Sequence, residues 1–328
     1  MPSIRFDDGP DGRLAIVADG RRLADYVYSP QDARRESPRP YLHPLRTLAG
    51  ELVSLYRPHD HVWHKGLSWS LPVVGDENFW GGPSYLDGEG YVQLPNNGEQ
   101  RHVGFGPRTS GDRAEITERL DWVTEGGATI MREDRTIAAA VADDETWVLT
   151  LQFELQNVSG AELRLGSPST RGRPDAGYGG LFWRAPRSFE GATVLTPDGD
   201  AGEEVRGSRA EWLGLRGTQD GSGRASSVVM VDDAGNTPHP PEWFVRTSEY
   251  AGACPAPFFS AEHPVGPGET YRARYAVVIA DEREVADGGA SLDGSRLAGI
   301  GAAALAELGA EGARAESAPG DARGRGER

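Results

Sequence analysis

The stretch "TWVLTLQFELQNV" (Thr146–Val158) puts Trp147, Leu149, Leu151, Phe153 and Leu155 at alternate positions, with Thr150, Gln152, Glu154 and Gln156 between them. Successive side chains of an extended chain point to opposite sides, so this alternation predicts a strand with one buried face. "YRARYAVVI" (Tyr271–Ile279) repeats the pattern through Tyr271, Ala273, Tyr275, Val277 and Ile279, and "AEITERLDW" (Ala114–Trp122) through Ala114, Ile116, Leu120 and Trp122. Between such segments lie "LPNNGEQ" (Leu94–Gln100), "TPDGDAGEE" (Thr196–Glu204) and "TQDGSG" (Thr218–Gly223), the turn chemistry of antiparallel hairpins. Much of the chain's 44 Gly and 23 Pro falls in such places.

No segment before about Asp281 shows a helical stripe of useful length, which excludes the alternating βα units of a Rossmann domain or a TIM barrel. Roughly fifteen or more short strands exceed what one open sheet holds, so the expectation is an all-β fold, a large antiparallel β-sandwich. With no linker-like composition and no fixed repeat, residues 1–281 are expected to form a single β-sandwich domain. Residues 282–315 turn Ala-rich, with Leu297, Ile300, Leu305 and Leu308 at helical spacing. A short C-terminal helix is predicted there, weakened by Gly299 and Gly301 at about 1 kcal/mol each. Residues 316–328 carry no apolar side chain larger than Ala and are predicted to be a disordered tail.

The formal charge of -16, without a basic stripe, argues against nucleic acid as a partner. No signal-like leader and no run of about eighteen apolar residues occurs, which predicts a soluble, cytoplasmic protein without membrane contact. A lone cysteine, Cys254 in the loop-like "ACPAPFF", excludes an internal disulfide and reads as an inert thiol.

Four of the seven histidines, His43, His59, His61 and His64, fall within twenty-two residues, where even spreading would put fewer than one. The only lysine, Lys65, follows His64. Three chemistries fit. A divalent metal could be held by His59 and His61 on one strand face with His64 from the following turn, giving a metal-dependent oxygenase or hydrolase, although Lys65 stands where a cation is unwelcome. Without a metal or other cofactor, histidines near their ordinary pKa could move protons on a sugar while Lys65 binds a carbonyl or carboxylate. Trp63, Trp69 and Trp80 supply flat faces suited to a pyranose. In the third reading, the group packs a loop and has no chemistry.

"RPYLHPLRTLAG" (Arg39–Gly50), "DHVWHKGL" (Asp60–Leu67), "NFWGG" (Asn78–Gly82), "RHVGF" (Arg101–Phe105), "GYGGLFWRAP" (Gly177–Pro186), "NTPHPPEWFVR" (Asn236–Arg246) and "PGETYRARYAVVI" (Pro267–Ile279) occur in this order. Together they resemble a bacterial family of unknown function that carries the legacy label "methane oxygenase PmoA", over most of residues 20–281. Particulate methane oxidation needs a membrane enzyme, and this chain has no spanning segment, so the label itself does not fit. In that family the histidine motif resembles Asp-His-x-His-His-Arg/Lys-Gly-Leu; Asp60, His61, His64, Lys65, Gly66 and Leu67 take those places, and Trp63 replaces the middle histidine.

The resemblance further implies a galactose-mutarotase-like supersandwich, carbohydrate metabolism and a functional link to a sugar dehydrogenase. Mutarotase-like sites pair a histidine acid with a glutamate base, and "FSAEHPVGPGETY" (Phe259–Tyr271) nominates Glu262 by likeness to them. The expected catalytic residues are therefore His61, His64, His102 and Glu262, with His43, Arg46, Lys65, Trp80, Arg184, His239 and Arg246 binding substrate. The expected function is acid/base chemistry on a sugar or oxidised sugar, as an isomerase or epimerase, a lyase or a hydrolase. The alternatives are the metal enzyme on His59, His61 and His64 and a noncatalytic carbohydrate-binding protein.

Overall fold

The computed structural model describes residues 2–282 and 293–317, with side chains as far as residue 309. Two antiparallel sheets dominate it. One has nine strands in the spatial order Gly199–Ala201, Thr193–Thr196, Trp212–Thr218, Ala225–Asp232, Thr270–Asp281, Thr146–Asn157, Thr129–Val141, Arg113–Val123 and Glu99–Thr109. The other has eight: Ile4–Gly9, Arg13–Ala18, Arg21–Val27, Tyr41–Leu45, Leu67–Ser70, Gly180–Arg184, Gly252–Ala256 and Glu242–Arg246. The sequence-based expectation of a large antiparallel β-sandwich is met.

Thr146–Asn157 lies between Thr129–Val141 and Thr270–Asp281, with Leu151 opposite both Ile137 and Tyr275. Its five odd-numbered apolar residues enter the core between the sheets, where Trp69 of the eight-stranded sheet stacks on Phe153 at 4.5 Å. The two sheets thus bury one continuous apolar layer, the main stabilising term of such a fold.

Each sheet also has an outer face, and each is covered. On the nine-stranded sheet, Val148, Val229, Val231, Ala276, Val278 and Ala280 point outward. The helix Gly294–Ser317 packs on them through Leu297, Ala298 and Leu305. Gly301 permits this approach: a Cβ there would lie 2.7 Å from Val231 Cγ2. The glycine expected only to weaken the helix is the point at which it touches the sheet. Residues 283–292 and 318–328, which include most of the predicted tail, lie outside the described residues.

On the eight-stranded sheet the outward positions are Phe182 and Arg184, then Phe244 and Arg246, then Cys254, while Leu181, Trp183, Trp243 and Val245 point into the sandwich. Cys254 lies in a strand rather than a loop, and complete burial pushes its thiol up to about 12. It is an inert thiol. Among the described residues no helix is long and apolar enough to cross a membrane.

Candidate functional site

The histidine-rich stretch is not a strand. Tyr56 and Lys65 face each other in a bridge, and residues 57–64 close a turn above it: Arg57 N–H donates to His64 O at 2.9 Å, and His64 N–H donates to His61 O at 2.9 Å. The three-residue step stacks the His61 and His64 rings, centroids 4.7 Å apart and 22° from parallel. His59, expected on the same face as His61, instead projects outward with its side chain 88% exposed.

Lys65 points the other way. Its ammonium is fully buried between Glu36, to which it donates, and Asp32 at 2.9 Å; Arg57 forks onto Glu36 at 2.6 and 2.8 Å. Burial pulls the ammonium below the ordinary lysine value, against the pull of the two carboxylates. Arg39, also buried, donates to the carbonyls of Glu36, Ser37, Trp63 and Trp80, tying three loops together. These cations hold the turn in place. Lys65, expected to bind substrate, is saturated by protein carboxylates.

Above this floor lies a cavity of about 310 Å³, at the small end of the usual range for ligand sites. Its apolar wall is Trp63, Trp80, Tyr91, Tyr178, Phe244 and Tyr250; its polar lining includes His61, His64, Arg173, Asp175, Arg246 and Glu249. The Trp63 ring lies across Gly82, which has φ +71°, and a Cβ at that position would stand 2.9 Å from three ring carbons. Tyr91 reaches in from the small hairpin Ser84–Leu86 and Gly90–Val92, its hydroxyl 2.8 Å from that of Tyr178.

His61 Nδ1 is 2.8 Å from Asp60 Oδ2, and Asp60 Oδ1 accepts from Arg187 at 2.9 Å. Partial burial pushes the Asp60 carboxyl up, but the bond to His61, a backbone bond and the charge of Arg184 outweigh it and hold the group at about 2. An ionised Asp60 fixes the proton of neutral His61 on Nδ1 and leaves Nε2 available as an acceptor. His64 is 2% exposed, its Nδ1 has no partner among the described residues, and burial drives its pKa well below the ordinary value. It is therefore neutral. Burial likewise raises Tyr178, and lifts Tyr250 to about 12, so both phenols keep their protons.

Of the other expected site residues, Trp80 and Arg246 line the cavity, and Arg184 is buried beside it, stacked on Tyr250 at 4.1 Å. The rest lie elsewhere. His102, on the edge strand of the nine-stranded sheet, bonds Glu118 at 2.6 Å and borders a separate depression with Tyr28 and Asp32. The expected meeting of His61, His64 and His102 does not occur. Glu262 lies beside Arg171 at 3.3 Å and Arg164 at 3.7 Å, so it faces two guanidinium groups rather than His61. His43 bonds Ser54 at 2.8 Å, Arg46 donates to Gly50 O at 3.0 Å, and His239 bonds Asp232 at 2.6 Å beneath the C-terminal helix. Among the described residues no three His, Cys, Asp or Glu side chains are grouped as metal ligands, and His59, His61 and His64 do not converge.

Sequence reasoning missed Tyr91, Arg173, Asp175, Tyr178, Phe244, Glu249 and Tyr250 as cavity residues. One signal was available. "LFWR" and "EWFVR" are apolar at both parities, which marks strands covered on both faces.

Fold and site together define an antiparallel β-sandwich with an aromatic cavity, edged by stacked histidines, on the outer face of one sheet. The chain belongs to DUF6807, a family of unknown function whose model matches residues 13–292. That description carries no methane oxygenase designation. No curated protein matches the sequence. Among solved structures, galactose 1-epimerase from Lactobacillus acidophilus NCFM is similar at 9% identity and a TM-score of 0.37, covering 85% of this chain and 98% of its own. An α-galactosidase from Lactobacillus brevis is similar at 10% identity and a TM-score of 0.35, covering 85% of this chain. The chain spans 38% of that larger protein.

Proposed function

We propose that this cavity binds a carbohydrate and that His61 is its proton-transfer group. The observation that carries the reading is the combination in one small hollow of aromatic walls with a histidine oriented by an ionised carboxylate. Aromatic rings pack against the C–H faces of a pyranose, and neutral phenols and guanidinium groups bond its hydroxyls. His61 Nε2 takes a proton from the substrate, Asp60 stabilises the imidazolium that forms, and the same nitrogen returns the proton to a different atom. Isomerisation and elimination both follow that sequence, and hydrolysis needs the same transfer to or from water. His64, neutral and stacked on His61, is a positioning residue.

Saturation-transfer NMR against a panel of aldoses, uronates and lactones tests binding, and the same spectra followed over hours test turnover. Trp80→Ala is expected to weaken binding at least tenfold. His61→Gln is expected to leave binding intact and reduce turnover by about 10²-fold or more. Binding without turnover of any panel member would support the noncatalytic carbohydrate-binding reading instead, and absence of binding across the panel would end the carbohydrate assignment.

A further inference from the structure

Among the described residues the buried arginines are, with one exception, saturated. Arg135 meets Glu133, Gln100 and the Tyr26 hydroxyl, and Arg39 meets four carbonyls. Arg184 differs. Its side chain is 1% exposed, yet Nε and Nη1 have no hydrogen-bond partner among the described residues. The nearest carboxylate oxygen, Asp60 Oδ2, lies 3.9 Å from Nη2 and is already engaged by His61. A buried guanidinium with open donors is costly unless a negative charge comes near it.

A second cation points the same way. Arg173 lines the cavity, donates to the Tyr91 hydroxyl and lies 4.8 Å over that ring, with no carboxylate within 4.0 Å among the described residues. Arg246 is paired with Glu249, and Asp60 is shared among His61, Arg187 and, at 3.9 Å, Arg184, which leaves Arg173 as the cavity cation without a carboxylate partner among the described residues.

We propose that the cavity selects a sugar bearing a carboxylate, of the uronate class, over its neutral counterpart; this rests on the carbohydrate reading above. Arg173 contacts the carboxylate. Arg184, behind the Tyr250 ring, acts through its charge in a poorly hydrated setting.

Calorimetric titration of the full chain with methyl glucuronoside and methyl galacturonoside, their methyl esters, the neutral methyl glycosides and acetate tests this. The uronates are expected to bind at least tenfold more tightly than the esters and neutral glycosides, and Arg173→Gln and Arg184→Met are each expected to cut that ratio at least fivefold. Arg173 is only partly buried, so its variant reports even where Arg184→Met fails to fold. Equal binding of uronate and neutral glycoside overturns the carboxylate preference while the carbohydrate reading stands. Acetate binding as tightly as the uronates, with no neutral sugar bound, overturns the carbohydrate reading and this proposal with it.

Discussion

The outer faces of the two sheets begin from the same alternation and end differently. On the nine-stranded sheet the outward residues are mostly Val and Ala, with Leu195 and Trp212 towards one end, and a helix of Ala, Leu and Gly closes over them. On the eight-stranded sheet they are Phe, Arg and Cys, and the cover is a set of loops carrying Trp, Tyr and His. Small aliphatic side chains allow close helix packing. The rings and guanidinium groups of the other face are covered by loops instead, and these leave a hollow in which polar atoms of His64 and Arg184 have no partner among the described residues. One face is built for stability, whereas the other retains unmet bonding capacity that a ligand can use.

The largest effect should come from the floor of the loop side. Replacing Lys65 by Ala leaves Asp32 and Glu36 buried with Arg57 as their one ion-pair partner within 4.0 Å among the described residues, and breaking a buried charge cluster in this way typically costs about 3–5 kcal/mol. Urea denaturation measures the loss. A change below about 1 kcal/mol would show that Lys65 does not anchor the turn.

Acid should separate the two faces by sign. His64 is held neutral by burial, reinforced by the charge of Arg184, and burial with Arg46 pulls His43 down to about 4. An unfolded histidine titrates near 6.5, so the stabilisation is complete above that pH and is lost as the pH falls towards 4. Between pH 7 and 5 His43 alone accounts for about 2 kcal/mol. On the helix side, burial pushes Asp232 up to about 6; the folded state gains a proton over the same interval that the unfolded carboxyl refuses, and that side is stabilised. Hydrogen exchange corrected for intrinsic rates should show residues 57–66 losing protection at pH 5 while Ala276–Ala280 hold theirs. Uniform loss across both regions would contradict the assignment.

The fold was legible because its evidence is local: five alternating residues in Thr146–Asn157 suffice to declare a strand and its inward face. The second burial, under the helix, also left a trace in "YAVVIA", where both parities are apolar. The candidate site was legible only where its parts are neighbours in sequence. His61, His64 and Trp80 come from adjacent loops, and Arg246 was nominated through its motif. Arg173, Phe244 and Tyr250 arrive from strands and turns far along the chain, and no spacing rule links them to His61. His102 shows the reverse failure: its motif looks like part of the set, but its strand lies at the edge of the other sheet, a matter of sheet order that side-chain periodicity does not encode.

The smallest expected effect isolates the close fit of the helix. Gly299 has nothing within 4 Å of a prospective Cβ, so Gly299→Ala should stabilise by about 0.5–1 kcal/mol through helix propensity alone. Gly301→Ala gains the same propensity but drives its methyl to 2.7 Å from Val231 Cγ2 and 3.2 Å from Val278 Cγ2, so the helix must shift away from the sheet. Overpacking of this kind typically costs about 1–3 kcal/mol, which reverses the sign. Thermal melts of the two variants side by side decide it: opposite shifts in Tm mean that the helix is seated on the sheet at Gly301. Two equal increases would mean that it rests loosely there, and the contrast between a tightly closed face and an open one would lose its firmer half.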